Sequence, residues 1–151
     1  MEVFVVRHAK AESRSRWDGD DRDRPLTANG RAQAKAIVAL LEHQPIERIA
    51  TSPYVRCIQT VKPLAKGLGL AVEEDERLAE GAGWAHALAC VEHAGAPIVL
   101  CSHGDVIGDL MWTLERRGVP LDDDRIEKAS TWAICVEDGK VTKARYLEPP
   151  G

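Results

Sequence analysis

Apolar residues along this chain follow two rhythms. Residues 2–6 (EVFVV) and the middle of APIVLCSHG (residues 96–104) are nearly unbroken apolar runs, as expected of central strands covered on both faces. Between them apolar residues recur at helical spacing. In LTANGRAQAKAIVALLEH, Thr27 is placed to cap a helix, Ala34, Ile37, Val38 and Leu41 form its buried stripe, and Pro45 stops it. IERIATSP predicts a second strand, and Tyr54 to Leu68 a helix ended by Gly67 and Gly69 and kinked or shortened at Pro63. LAVEEDERL predicts a short strand and a loop, GWAHALACVEHAG a third helix, and DVIGDLMWTLERRG a fourth closed by Gly118. STWAICVE and VTKARYLE read as strands joined at Asp138-Gly139, a dipeptide suited to a tight hairpin.

Strands alternating with helices predict an α/β fold. The expected form is a three-layer α/β/α sandwich with a mostly parallel central sheet, to which the terminal hairpin adds an antiparallel edge. No repeat, low-complexity segment or linker interrupts the pattern, so residues 1–151 read as one domain.

Composition removes several function classes. No apolar run approaches the roughly 20 residues of a membrane span. The N-terminus lacks a basic region ahead of a long apolar stretch and a small-residue cleavage site, so a cytoplasmic location is expected. Cys57, Cys90, Cys101 and Cys135 are scattered without a CxxC pair and read as reduced, mostly core-filling residues. The net charge of −4 argues against a nucleic-acid polymer as partner, because such binding neutralises phosphates with Lys and Arg. An acidic chain can still focus positive potential in one cleft.

Candidate chemistry gathers at strand ends. In an open α/β sheet, ligands bind outside the carboxyl ends of the strands, where strand order reverses. Arg7-His8 follow the first apolar run and Ser102-His103-Gly104 follow PIVLC, while Ser52 closes the second strand and Arg56 opens the next helix. Separate segments thus deliver two imidazoles and two guanidiniums to one rim. This set suits phosphoryl transfer: guanidiniums grip phosphate oxygens in a planar fork, and a neutral imidazole can carry the phosphoryl group covalently. A positioned acid would protonate the leaving group.

VVRHAK, LTANGRAQA, TSPYVRCIQT, RLAEG and LCSHGDV together resemble the histidine phosphatase (phosphoglycerate mutase-like) superfamily over essentially the whole chain. The size is similar to the small SixA-like branch. DGDDRDRPLTANGRAQA, VRCIQT and STW resemble the phosphatase-like half of actinobacterial two-part Nudix hydrolases, which sanitise oxidised nucleotides; these 151 residues include no Nudix half. The resemblance implies a phosphoglycerate mutase-like fold, with His8 as the phosphorylated nucleophile and Arg7 and Arg56 as the phosphate clamp. It makes His103 the second histidine, with Gly104 beside it, and Glu80 the proton donor, although Glu73, Glu74, Asp75 and Glu76 compete nearby. The implied partner is a phosphorylated small molecule, such as a nucleotide, or a phosphoprotein carrying phosphohistidine. The family's RHG is RHA here, and Ser13, Arg14 and Ser15 stand where an asparagine is common. Arg14 or Arg16 is thereby a candidate grip on a further phosphate, and a solvated loop, which includes Lys10, is the alternative.

The remaining polar clusters carry less. Asp18, Asp20, Asp21 and Asp23 lack the ligand order of a calcium loop and are expected to be solvated and paired with Arg22 and Arg24. Asp122-Asp123-Asp124 reads as a charged turn. His86, Cys90 and His93 share a helix face but lack an evident fourth ligand. No metal and no cofactor is expected.

Overall fold

The computed structural model describes residues 1–151. Six strands form one sheet: β1 (Glu2–Arg7), β2 (Arg48–Thr51), β3 (Val72–Glu74), β4 (Ile98–Ser102), β5 (Thr131–Glu137) and β6 (Lys140–Leu147). Their spatial order is β3-β2-β4-β1-β5-β6. β1, β2, β3 and β4 run parallel, and β5 and β6 add the antiparallel edge. Four helices connect them: α1 (Ala28–Leu41), α2 (Val55–Leu68), α3 (Trp84–Glu92) and α4 (Gly104–Arg116).

The apolar run of β1 is explained by its position. Phe4 lies beside Val99 of β4 and Ala133 of β5, so both edges of the strand are paired. Phe4 and Val6 pack with Ile37 and Leu41 of α1 and Val61 and Leu64 of α2. Val3 and Val5 pack on the opposite face with Leu88 and Val91 of α3 and Ile107 and Leu110 of α4. Each such side chain contributes on the order of 1.5–3 kcal/mol of burial. The sandwich therefore has one core on each side of the sheet.

The chain leaves β1 towards β2 and leaves β4 towards β5, in opposite directions across the sheet. The helices that follow them, α1 and α4, lie on opposite faces of the sheet, and adjacent strands connected in this way open a crevice at their carboxyl ends. Arg7 and Ser102 end those two strands side by side.

Thr27 caps α1 as expected, accepting from the Gly30 amide. Pro63 does not break α2, which continues to Leu68 and stops at Gly69 in the left-handed conformation (φ 68°). The bond lost is the one Pro63 N–H would give the Gln59 carbonyl, and both residues are only partly buried, so the helix runs on until the αL geometry of Gly69 ends it. The cysteines are unpaired, with Cys57 and Cys101 buried. No helix is long and apolar enough to cross a membrane.

Candidate active site

His8 follows β1 and His103 follows β4, and their ring centroids lie 5.5 Å apart in an edge-on arrangement. Both side chains are buried. His8 Nδ1 lies 2.8 Å from the Ala9 carbonyl oxygen. A carbonyl only accepts, so Nδ1 carries the proton in the neutral ring and Nε2 keeps its lone pair. His103 has the complementary tautomer. Tyr54 N–H occupies one lone pair of Ser52 Oγ (3.2 Å), and we assign the Ser52 hydroxyl proton, which has no other acceptor, to the bond with His103 Nε2 (2.8 Å). The His103 proton then sits on Nδ1, a buried atom with no protein partner.

Two more donors are orphaned in the same way, Arg7 Nε and Arg56 Nε. Buried donors without acceptors are costly, and three of them in one site suit an oxyanion with many lone pairs. Arg7 is steadied by the Ile126 carbonyl, 2.6 Å from its Nη1. Arg56 is fully buried; its Nη1 donates to the Asp21 carbonyl oxygen (2.8 Å) and its Nη2 to Asp21 Oδ2 (3.1 Å). Its guanidinium also stacks 4.9 Å above the Tyr54 ring. Gly104 makes room for Arg7: a Cβ there would sit 2.8 Å from Arg7 Cζ and Nη2. Gly104→Ala is expected to displace that guanidinium and raise KM about tenfold, with little change in melting temperature, as substrate titration and thermal denaturation would show.

Of the carboxylates in the segment from Glu73 to Glu80, Glu80 is the one brought to this group. Its Oε1 accepts from Arg14 Nη2 at 3.0 Å and its Oε2 lies 3.4 Å from Arg56 Nη2. The nearby competitors are engaged elsewhere: Glu73 with Arg48, Asp75 with Arg77, and Glu76 with Arg22. Glu74 ends β3 and does not line the cleft.

A cleft of about 710 Å³ opens beside this group, lined by Arg7, His8, Arg14, Glu80, Gly104 and Asp105 among others, while Arg56 and His103 are buried and do not line it. Arg14 therefore reaches the site, whereas Arg16 is exposed and does not line the cleft. The turn that brings Arg14 inwards, with Arg16 N–H bonded to the Ser13 carbonyl, places Arg16 on the outside. Lys10 is likewise exposed and outside the cleft.

The acidic run departs from the expected solvated face. Asp20 caps a short 3-10 turn, Asp21–Asp23, and Asp21 pairs with both Arg24 and Arg56. Burial opposes ionisation of Asp21, but those two guanidiniums outweigh it and hold its carboxyl below the ordinary range. Arg22 pairs with Glu76 instead. Arg24 is buried and lines the cleft, as does Lys128 from the loop before β5. Sequence patterns did not single out Lys128; its one signal is a position just ahead of the strand that pairs with β1.

Burial is the main influence on His8 and pushes its imidazole down to about 3; the Ala9 carbonyl opposes this, while His103, Arg56 and Arg7 push it further down. The ring is thus neutral in the native state while an unfolded chain takes up a proton below about 6.5. Stability should then fall as pH drops from about 6.5 towards 3, on the order of 1 kcal/mol per unit from this residue. Melting temperatures of the protein and of His8→Asn across that window would check it: the variant should show the shallower slope.

Known proteins resemble this chain in sequence and in fold. The family model described as histidine phosphatase superfamily (branch 1) matches residues 3–88. The 8-oxo-(d)GTP phosphatase of Mycolicibacterium smegmatis is 41% identical over 155 aligned positions, covering 98% of this chain and 48% of that protein. The chain thus spans about half the length of that relative. The phosphohistidine phosphatase SixA homolog of Haemophilus influenzae is 29% identical over 136 positions, covering 80% of this chain and 81% of its own. The solved structure of the protein histidine phosphatase SixA complexed with tungstate shares the fold, with a TM-score of 0.80 at 24% identity over 99% of this chain and 97% of that one. With the family match extending over more than half of its residues, the chain belongs to the histidine phosphatase superfamily (branch 1).

Proposed function

We propose that this chain hydrolyses a phosphomonoester, phosphoanhydride or phosphoramidate through a covalent phosphohistidine on His8, without a metal, and that its substrate is a nucleotide or another small phosphorylated metabolite. The supporting observation is the tautomer of His8: Nδ1–H is committed to the Ala9 carbonyl at 2.8 Å, which leaves Nε2 as the free lone pair. In the first step Nε2 attacks phosphorus, an N–P bond forms, and the bond from phosphorus to the leaving group breaks. The Glu80 carboxyl gives its proton to the leaving atom. In the second step the Glu80 carboxylate takes a proton from water, the water oxygen attacks phosphorus, and the N–P bond breaks to release phosphate and neutral His8. Arg7, Arg56 and His103 Nδ1–H hold the non-bridging oxygens, whose charge grows in the transition state.

Labelling tests the intermediate. Brief incubation with substrate carrying a radioactive phosphoryl group, quenched in alkali, should leave label on His8, because phosphohistidine survives base and is lost in acid. A protein that binds phosphate but never takes up label would be a non-catalytic phosphate-binding module.

The substrate preference draws on the 41% identity to the 8-oxo-(d)GTP phosphatase over nearly the whole chain. A second candidate is phosphohistidine on a protein, favoured by the match to the SixA homolog over most of both chains. A panel of nucleoside diphosphates and triphosphates, sugar phosphates and a phosphohistidine peptide separates them. A nucleotide should show the highest kcat/KM; a peptide that ranks first would reassign the substrate.

A further inference from the structure

The cleft is larger and more cationic than one phosphate requires. Its volume, about 710 Å³, falls within the roughly 300–1,000 Å³ of small-molecule sites. Arg7, Arg14, Arg24 and Lys128 all line it. Three of these four cations already have protein acceptors: Arg7 the Ile126 carbonyl, Arg14 the Glu80 carboxylate, and Arg24 the Asp21 carboxylate and the Glu12 carbonyl. Three carboxylates share the wall: Glu80 is partly committed to Arg14 and Asp105 to the Gly81 amide at 2.9 Å, while that of Glu12 has no side-chain partner.

Lys128 differs from the other three. Burial lowers its ammonium from the ordinary value, and the charges it feels after that are Arg7, Arg24, Lys10 and Arg14, every one a cation. The backbone fixes it there. Ala129 has φ 66°, a conformation that costs an alanine about 1 kcal/mol or more. Its N–H is shared between the carbonyls of Arg7 (3.1 Å) and His8 (3.2 Å), and the Ser130 amide closes the turn on the Glu127 carbonyl at 3.0 Å. The lysine is thereby tied to the two residues at the end of β1.

We propose that Lys128, flanked by Arg14 and Arg24, binds a second phosphate next to the one held over His8, so that the preferred substrates carry two phosphates joined by an anhydride bridge, as in a nucleoside diphosphate. This rests on His8 as the phosphoryl acceptor. The terminal phosphorus bonds to Nε2, the bridging P–O bond breaks, and the penultimate phosphate leaves with the electron pair and the Glu80 proton. Lys128 neutralises the charge that accumulates on that leaving phosphate.

The test compares Lys128→Met and Lys128→Arg with the unaltered protein on GDP and on GMP, with pyrophosphate and orthophosphate as inhibitors. Lys128→Met is expected to lower kcat/KM for GDP about 10- to 100-fold and that for GMP by no more than about twofold. Pyrophosphate should inhibit the unaltered protein more strongly than orthophosphate, an advantage lost in Lys128→Met and largely kept in Lys128→Arg. The Lys128 side chain is exposed at the cleft, so equal melting temperatures are expected throughout. Equal losses on GDP and GMP, or none on either, in a protein that still takes label on His8 would overturn the second subsite. Absence of label on His8 in the unaltered protein would instead remove the reading beneath it.

Discussion

His8→Ala is expected to lower kcat by about 10⁴-fold or more and to abolish the covalent label. In the proposed mechanism the side chain supplies the lone pair that bonds to phosphorus, and no other nitrogen of the site offers a free one. His103 Nε2 is committed to Ser52, and the delocalised guanidiniums of Arg7 and Arg56 are donors only, with no lone pair to offer phosphorus. What remains in the variant is a cationic pocket that still gathers phosphate, so KM should change far less than kcat. The fold should survive, because the ring is already neutral in the native state and its removal leaves no unpaired charge. Single-turnover assays beside alkali-quenched labelling would measure both effects. Turnover unchanged in the variant would refute His8 as the nucleophile.

Arg56→Ala is the second large effect, and it should appear chiefly as weaker capture of substrate. The guanidinium is fully buried, pairs with Asp21 and lies within 3.4 Å of Glu80. Its loss removes the phosphate fork and leaves two carboxylates facing an anionic substrate. We expect kcat/KM to fall about 10²- to 10³-fold, most of it in KM. Stability should drop by about 2–4 kcal/mol, since a filled volume against Tyr54 and a buried ion-pair partner disappear together. Urea unfolding measures the second effect, and Arg56→Lys separates the two. Lysine restores the charge but not the planar fork, so stability should recover more than KM. An unaltered KM in Arg56→Ala would remove this residue from the phosphate site.

Much of this was legible in the sequence for a physical reason. Strands buried on both faces leave unbroken apolar runs, so β1 and β4 could be located and the residues at their carboxyl ends named. The Asp138-Gly139 hairpin was equally clear, because Asp138 and Gly139 both adopt positive φ, at 52° and 73°. Pro63 does not shorten its helix, since a proline whose missing bond lies on a partly buried face can be carried through. Asp21 looked like part of a solvated acidic run because Arg56, the cation that engages it, is 35 residues away. Lys128 is undistinguished within a polar loop, and only the docking of the Ala129 amide on the Arg7 and His8 carbonyls brings it to the cleft. Arg14 and Arg16 could not be ranked from spacing, because one turn of loop backbone decides which of them points inwards.

The central place of β1 bears on how the chain acquires its shape over time. Its two neighbours in the sheet are Ile98–Ser102 and Thr131–Glu137, so the first strand made must wait for segments synthesised near the end. Loop closure across such separations slows folding and leaves an apolar strand unpaired meanwhile. During translation the imidazole of His8 can meet its partner ring once His103 has emerged, but gains its covering loop only when the segment leading into β5 has left the ribosome. Phosphate-dependent protection of nascent chains against proteolysis should therefore be absent for lengths that stop before Thr131 and appear once Glu137 is exposed.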